Sequence, residues 1–126
     1  MTQWQSGRES GLLDDIIAGR KTIEGRLNRD KFARYAVGDT VGLRRDYRNT
    51  QGVLEDGEPN AALVEIVGIR SYETFLGMVT AEGYKNVIPS AQTAKDAADA
   101  YTKYYSADDQ ASYGVLAIEV RFLNNY

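Results

Sequence analysis

The sequence predicts an α+β fold, in which a mainly antiparallel, strongly curved sheet or small mixed β-barrel carries helices packed at its side. Three observations lead there. Lys21 to Leu27 and Tyr113 to Phe122 alternate in character with the period of two that a half-buried strand requires. Leu12, Leu13, Ile16 and Ile17, and later Ala97, Ala100, Tyr101 and Tyr104, recur at helical spacing. Three strand segments also follow one another with no helical segment between them. That order favours antiparallel neighbours over the crossovers of a doubly wound sheet.

Taken in order, the first helix carries its apolar stripe to Gly19, a residue suited to a left-handed C-terminal cap. The strand from Lys21 to Leu27 then sets Thr22, Glu24 and Arg26 on one side and Ile23, Gly25 and Leu27 on the other. Asn28 to Tyr35 reads as a turn or single helical turn pinning Phe32 and Tyr35 to the core. Val37-Gly38-Asp39 signals a turn before a second strand over Thr40 to Leu43. Asp46 to Asn60 is nearly devoid of apolar residues and reads as a long exposed loop. Ala61 to Ile69, rich in β-branched residues, predicts a third strand, and Ser71 a cap for a helix through Phe75, Leu76 and Val79 to Gly83. Val87-Ile88-Pro89 reads as extended. Thr93 and Asp96 suggest a capping box for a helix from Ala94 to about Tyr105. Leu116, Ile118, Val120 and Phe122 give the last strand its apolar face.

With 126 residues, 43% of them hydrophobic, the chain has the material for one core and is expected to form one domain, residues 1–126. Charged residues, 26% of the total, are interspersed with apolar ones, unlike the pattern of a disordered chain. There is no cysteine and no histidine, which removes disulfides, the usual zinc ligands and the Ser-His and Cys-His nucleophile pairs. No cofactor is expected: neither a phosphate loop nor a dinucleotide-binding glycine pattern is present, and the doublets Asp14-Asp15 and Asp108-Asp109 read as solvated charge rather than a metal site. Acidic and basic residues within the first fifteen positions do not form a secretory signal, and no apolar run approaches membrane-spanning length. The expectation is a cytoplasmic protein with no membrane partner.

The net charge is −3, yet residues 20–48 hold nine Lys or Arg against four acids, which makes that stretch +5 and the remainder −8. One face that attracts phosphate on an otherwise acidic molecule has this signature. Within it, Gly19-Arg20-Lys21-Thr22-Ile23-Glu24-Gly25-Arg26 joins a glycine cap to a strand carrying a cation, an anion and a second cation.

This segment resembles the Gly-x-Lys-x-x-Glu-x-Arg motif of the ASCH domain family, whose members share a PUA-like β-barrel. The resemblance continues through Val37 to Val41, Val64 to Phe75, Asn86 to Pro89, Tyr101 to Ser106 and Tyr113 to Ile118, and spans roughly residues 12–122. It implies RNA or nucleotide binding in a cleft beside the barrel, with Lys21, Glu24 and Arg26 at its floor. Glu24 and Arg26, two apart on one strand face, can pair, so the carboxylate can orient the cations or accept a base amino group while the cations engage phosphate. Tyr105, Ser106 and Tyr113 are the further candidate cleft residues, whereas Tyr101 and Tyr104 are assigned to packing.

Three functions follow as expectations. The first is a binding module for RNA, a nucleotide or a modified nucleoside. The second is a small hydrolase, amidohydrolase or ribonuclease, with Lys21 and Glu24 as an acid/base pair. Some small family members are amidohydrolases acting on N4-acetylcytidine through a Lys, a Thr three positions later and a Glu. Here the position three after Lys21 is Glu24, Thr22 has another spacing and Glu82 aligns loosely with the later acid, so the resemblance is not to that branch. The third is a protein-interaction module, drawn from the 46–60 segment and the acidic remainder, for which the sequence names no protein partner.

Overall fold

A computed structural model describes residues 1–124. The strands are β1 (Gln3–Glu9), β2 (Ile23–Leu27), β3 (Thr40–Arg48), β4 (Leu54–Tyr72) and β5 (Val115–Asn124). The helices are α1 (Ser10–Ile17), α2 (Phe75–Glu82), α3 (Tyr84–Val87), α4 (Ala94–Thr102) and α5 (Ala107–Tyr113), and a 3-10 turn covers Asp30–Arg34. The strands form one sheet in the order β1-β3-β4-β5-β2. Only the β1–β3 pair is parallel, so the predicted mainly antiparallel sheet is present.

The sheet divides the apolar residues into two layers. Val41, Leu43, Val64, Ile66, Leu116, Ile118 and Val120 fill the concave side with Leu13 and Ile16 of α1. Ile23, Leu27, Val115 and Ala117 face the other way, onto Phe75, Met78, Val79, Ala97 and Tyr101 of α2 and α4. Alternation along β5 is therefore read by two cores, one on each face, while β2 gives its apolar face to the second. Gly25 makes the second layer possible, since a Cβ there would stand 2.8 Å from both Met78 Cε and Tyr101 Cζ. Phe75 and Tyr101 stack with their centroids 4.5 Å apart.

The 3-10 turn places Phe32 and Tyr35 against the concave core, as expected from the sequence, with Tyr35 5.3 Å from both Trp4 and Phe32. The Gly38-Asp39 turn precedes β3, and Asp39 fastens the entry of the chain. Its carboxylate accepts from Thr2 N (2.9 Å), Trp4 Nε1 (2.9 Å) and Ala36 N (3.1 Å).

Several expectations are corrected. Strand β1 and helix α5 are absent from the sequence reading. The presumed loop 46–60 is a hairpin: β3 runs on to Arg48, β4 begins at Leu54, and only residues 49–53 turn. Ser71 lies in β4 opposite Leu116, and the α2 cap is Thr74, whose hydroxyl accepts from Gly77 N at 3.0 Å. Residues 84–87 form a helical turn, so only Ile88 of the Val87-Ile88 pair is extended. Helix α4 ends at Thr102 rather than Tyr105, while its Thr93 cap accepts from Asp96 N at 3.1 Å as expected.

A candidate anion cleft at the seam of the sheet

In the strand order, β1 and β2 are the two edges, each paired on one side only. The sheet curls until these edges approach, and side chains rather than backbone bonds join them. Arg8 Nε of β1 makes an ion pair with Glu24 Oε2 of β2. Both side chains are buried, at 6% and 3% exposure. Strand β2 sends Ile23, Gly25 and Leu27 to the helices, which leaves Glu24 and Arg26 facing the mouth of the half-barrel.

Three cations surround the one carboxylate. Lys21 Nζ stands 3.6 Å from Glu24 Oε1, and Arg26 Nη2 stands 3.4 Å from Oε2. Lys21 reaches this position from the α1–β2 connection after Gly19, whose φ of +80° turns the chain. Its ammonium also donates to the carbonyls of Ile23, at 2.7 Å, and Val87, so it ties β2 to the end of α3. Arg26 donates to Gly25 O at 2.7 Å and lies 5.2 Å from the Phe32 ring centroid. Arg8 donates to Ser6 Oγ at 2.9 Å and to Gly7 O. Glu24 Oε1 itself receives no hydrogen bond, which leaves one buried acceptor unused.

Electrostatics follow from this arrangement. Burial opposes ionisation of Glu24, but Arg8, Lys21 and Arg26 outweigh it and hold the carboxyl at about 2. Burial and the neighbouring Arg26 lower the Arg8 pKa, against the pull of Glu24. The cluster carries three positive charges and one negative, nearly all withdrawn from water. Uncompensated buried charge is costly, and an arriving anion relieves it.

Over the cluster opens a cleft of about 530 Å³. Arg8, Lys21, Glu24 and Arg26 meet its space from below, while Phe32, Ile88, Tyr101, Tyr104 and Tyr105 supply apolar and aromatic walls. Glu9, Arg48 and Leu54 add further charged and apolar lining. A depression of similar size, about 510 Å³, lies beside α5, but Glu73 is its one charged lining residue. Among the described residues, no three acidic side chains gather as a metal site would need.

Of the residues singled out in the sequence, Lys21, Glu24, Arg26 and Tyr105 come together at this cleft. Ser106 and Tyr113 do not. The Ser106 hydroxyl caps α5 by accepting from Asp109 N at 3.1 Å, and Tyr113 lies under Arg29, 5.2 Å from its guanidinium carbon. Tyr101 is packed against Phe75, as expected, and also meets the cleft. Tyr104, assigned to packing, is 68% exposed and lines the cleft, because α4 ends before it and the stripe of the helix no longer governs its direction. Arg8 and Leu54 escaped sequence reasoning, while Phe32 was read only as a core aromatic and Arg48 only as part of the basic 20–48 stretch. The Gly7-Arg8-Glu9 run carries no alternation of apolar residues that would have exposed β1.

Comparison with known proteins identifies the family and the fold. The ASCH domain family matches residues 11–124. The hypothetical protein PH0355 has a similar structure, with a TM-score of 0.81 and 29% identity over 96% of this chain and 99% of that one. Protein PF0455 from Pyrococcus furiosus gives a TM-score of 0.74 with 28% identity, over 96% and 97% of the two chains. EF3133 from Enterococcus faecalis V583, assigned to DUF984, shares the fold at a TM-score of 0.63 and 11% identity, over 100% of this chain and 78% of that one. No curated protein matches the sequence significantly. Strand β1, and with it Arg8, lies before the stretch that the family matches. The five-stranded curled half-barrel with its flanking helices is consistent with a PUA-like fold, and the chain belongs to the ASCH domain family.

Proposed function

We propose that the cleft binds RNA or a nucleotide. One observation carries this reading: its lining combines four cations, Arg8, Lys21, Arg26 and Arg48, against two carboxylates, Glu9 and Glu24, with four aromatic rings. Excess positive charge attracts phosphate, and aromatic faces hold an unpaired base by stacking. The unused Glu24 Oε1 is suited to accept an N–H from such a base. Membership of the ASCH domain family supports the same reading.

Hydrolysis with Lys21 and Glu24 as acid and base finds less support. Glu24, at about 2, remains ionised near neutral pH and is a weak base there. Lys21 is tied to two carbonyls that fix its position. The interaction-module reading is left with the acidic remainder of the chain as its support, because residues 46–60 form a hydrogen-bonded hairpin rather than an open loop.

The test is a titration of the protein with short single-stranded RNAs and nucleoside monophosphates at several salt concentrations, using wild type and Arg26→Glu. Binding that weakens with salt and is lost on charge reversal is expected. Salt-independent binding, or none, overturns the reading.

A further inference from the structure

The cations of the cleft are not equally free to meet a ligand. Lys21 donates to Ile23 O and Val87 O and faces Glu24. Arg8 donates to Ser6 and Gly7 and is paired with Glu24. Arg26 is shared between Gly25 O and Glu24. Arg48 differs from all three. Among the described residues its side chain has no carboxylate partner, and the one hydrogen bond its guanidinium makes there, 2.9 Å to Gly52 O, stays within its own turn.

Arg48 reaches the cleft because the β3–β4 hairpin is bent. Leu43 pairs with Ala62 and Arg45 with Glu58, so β4 uses four residues where β3 uses two, and a second shift follows between Arg45 and Tyr47. Gly57 sits in this irregular stretch, where a Cβ would fall 2.1 Å from Arg45 O. Buried Asp46 fixes the bend: it accepts from Arg44 Nε and Nη2, at 2.5 and 3.0 Å, and from Gly57 N at 3.4 Å. Arg45 ties the base of the arm to α1 through Ser10 Oγ (2.7 Å) and Asp14 Oδ1 (2.9 Å). Beyond the bend, Arg48 and Leu54 are cross-strand partners, and both line the cleft.

We infer that Arg48 is the principal phosphate contact of the cleft, so that the ligand is a phosphorylated nucleotide, free or within a strand, rather than a neutral nucleoside. This rests on the nucleotide-binding reading above. The arm brings a cation with uncommitted donors to a floor whose own cations are occupied in holding Glu24. Lys21 is then a positioning residue, and the phosphate lies towards the arm.

The experiment compares the affinities of matched nucleosides and nucleoside 5′-monophosphates, and of a short single-stranded RNA, for wild type, Arg48→Ala, Arg48→Lys and Arg121→Ala. Arg121 is a surface cation outside the cleft lining, paired with Glu65, so its loss changes net charge and one surface ion pair without touching the cleft. Wild type and Arg121→Ala are expected to prefer monophosphate over nucleoside. Arg48→Ala should cut that preference about tenfold, the scale of a charge-assisted bond to phosphate. It should also reduce the salt slope for RNA by roughly 0.7, the value for one phosphate contact on a single strand, and Arg48→Lys should keep most of that slope. If wild type binds nucleotide but Arg48→Ala retains the full preference, or if wild type shows no preference, this inference is wrong while nucleotide binding stands. If wild type binds neither nucleotide nor RNA, both readings fall together.

Discussion

Arg8 and Glu24 stand on opposite edges of one sheet and meet as a buried ion pair, so the half-barrel is joined at its seam by charge. Glu24→Gln keeps the shape of the side chain and removes its charge. Three cations then share a buried site without an anion, and a loss of about 3–5 kcal/mol is expected on the scale of broken buried pairs. Urea unfolding followed by circular dichroism measures it. A loss below about 1 kcal/mol would show that the cations relax into water.

Acid should weaken the fold through the same carboxylate. Glu24 titrates at about 2 when folded and near 4.5 when unfolded, so its contribution is complete above about pH 4.5 and disappears as the pH falls towards 2. The difference corresponds to on the order of 3 kcal/mol. Stability measured at pH 7, 4 and 2.5 should fall accordingly, and Glu24→Gln should fall less steeply over the same range. Parallel profiles for the two proteins would contradict this.

Asp39 is the second acid on which the fold depends. Its hydrogen bonds, chiefly from Trp4, hold its carboxyl below the usual range. Asp39→Ala leaves the donors of Thr2, Trp4 and Ala36 without that acceptor, with an expected cost of about 2–3 kcal/mol. Trp4 is the one tryptophan of the chain, so its fluorescence should shift to the red as β1 loosens. An unchanged spectrum would mean that β1 is held by its pairing with β3 alone.

Gly25→Ala tests the contact between β2 and the helical layer. The added methyl has no room between Met78 and Tyr101, so about 1–3 kcal/mol of destabilisation is expected. A thermal melt is sufficient to read it.

Tyr104→Ala should leave stability within about 0.5 kcal/mol, since the ring is exposed. Affinity for single-stranded RNA should nevertheless drop by about 1–3 kcal/mol if the ring stacks on a base. Equal affinities would remove Tyr104 from the binding surface.

Much of the sheet was legible because its strands bury apolar side chains at alternate positions. Strands β2 and β5 show this plainly, and the capping oxygen of Thr93 marked the start of α4. Strand β1 was hidden for a physical reason: the inward positions after Trp4 are Ser6 and Arg8, polar residues, of which Ser6 is bonded by Arg8 and Arg8 is paired with Glu24 on a strand that follows later in the chain. The arm over residues 44–60 was hidden similarly, since it extends past the cores and is held by Asp46 and its donors rather than by apolar contacts. Helix α5 did carry a local signal, Ser106 three residues before Asp109, which the reading of Asp108-Asp109 as solvated charge passed over. At the site, local order revealed Lys21, Glu24 and Arg26 because they share one short segment. Arg8 and Arg48 arrive through tertiary structure, from before β2 and after it.

The outer edges of β1 and β2, which no backbone bond joins, decide what holds the half-barrel closed. In a sheet closed entirely by backbone bonds, occupation of a surface groove leaves the closure untouched. Here the carboxylate that fastens the joint is also a lining group of the groove, together with the cations that hold it. The strength of this joint is therefore set by the balance of three cations and one carboxylate rather than by rungs of the sheet.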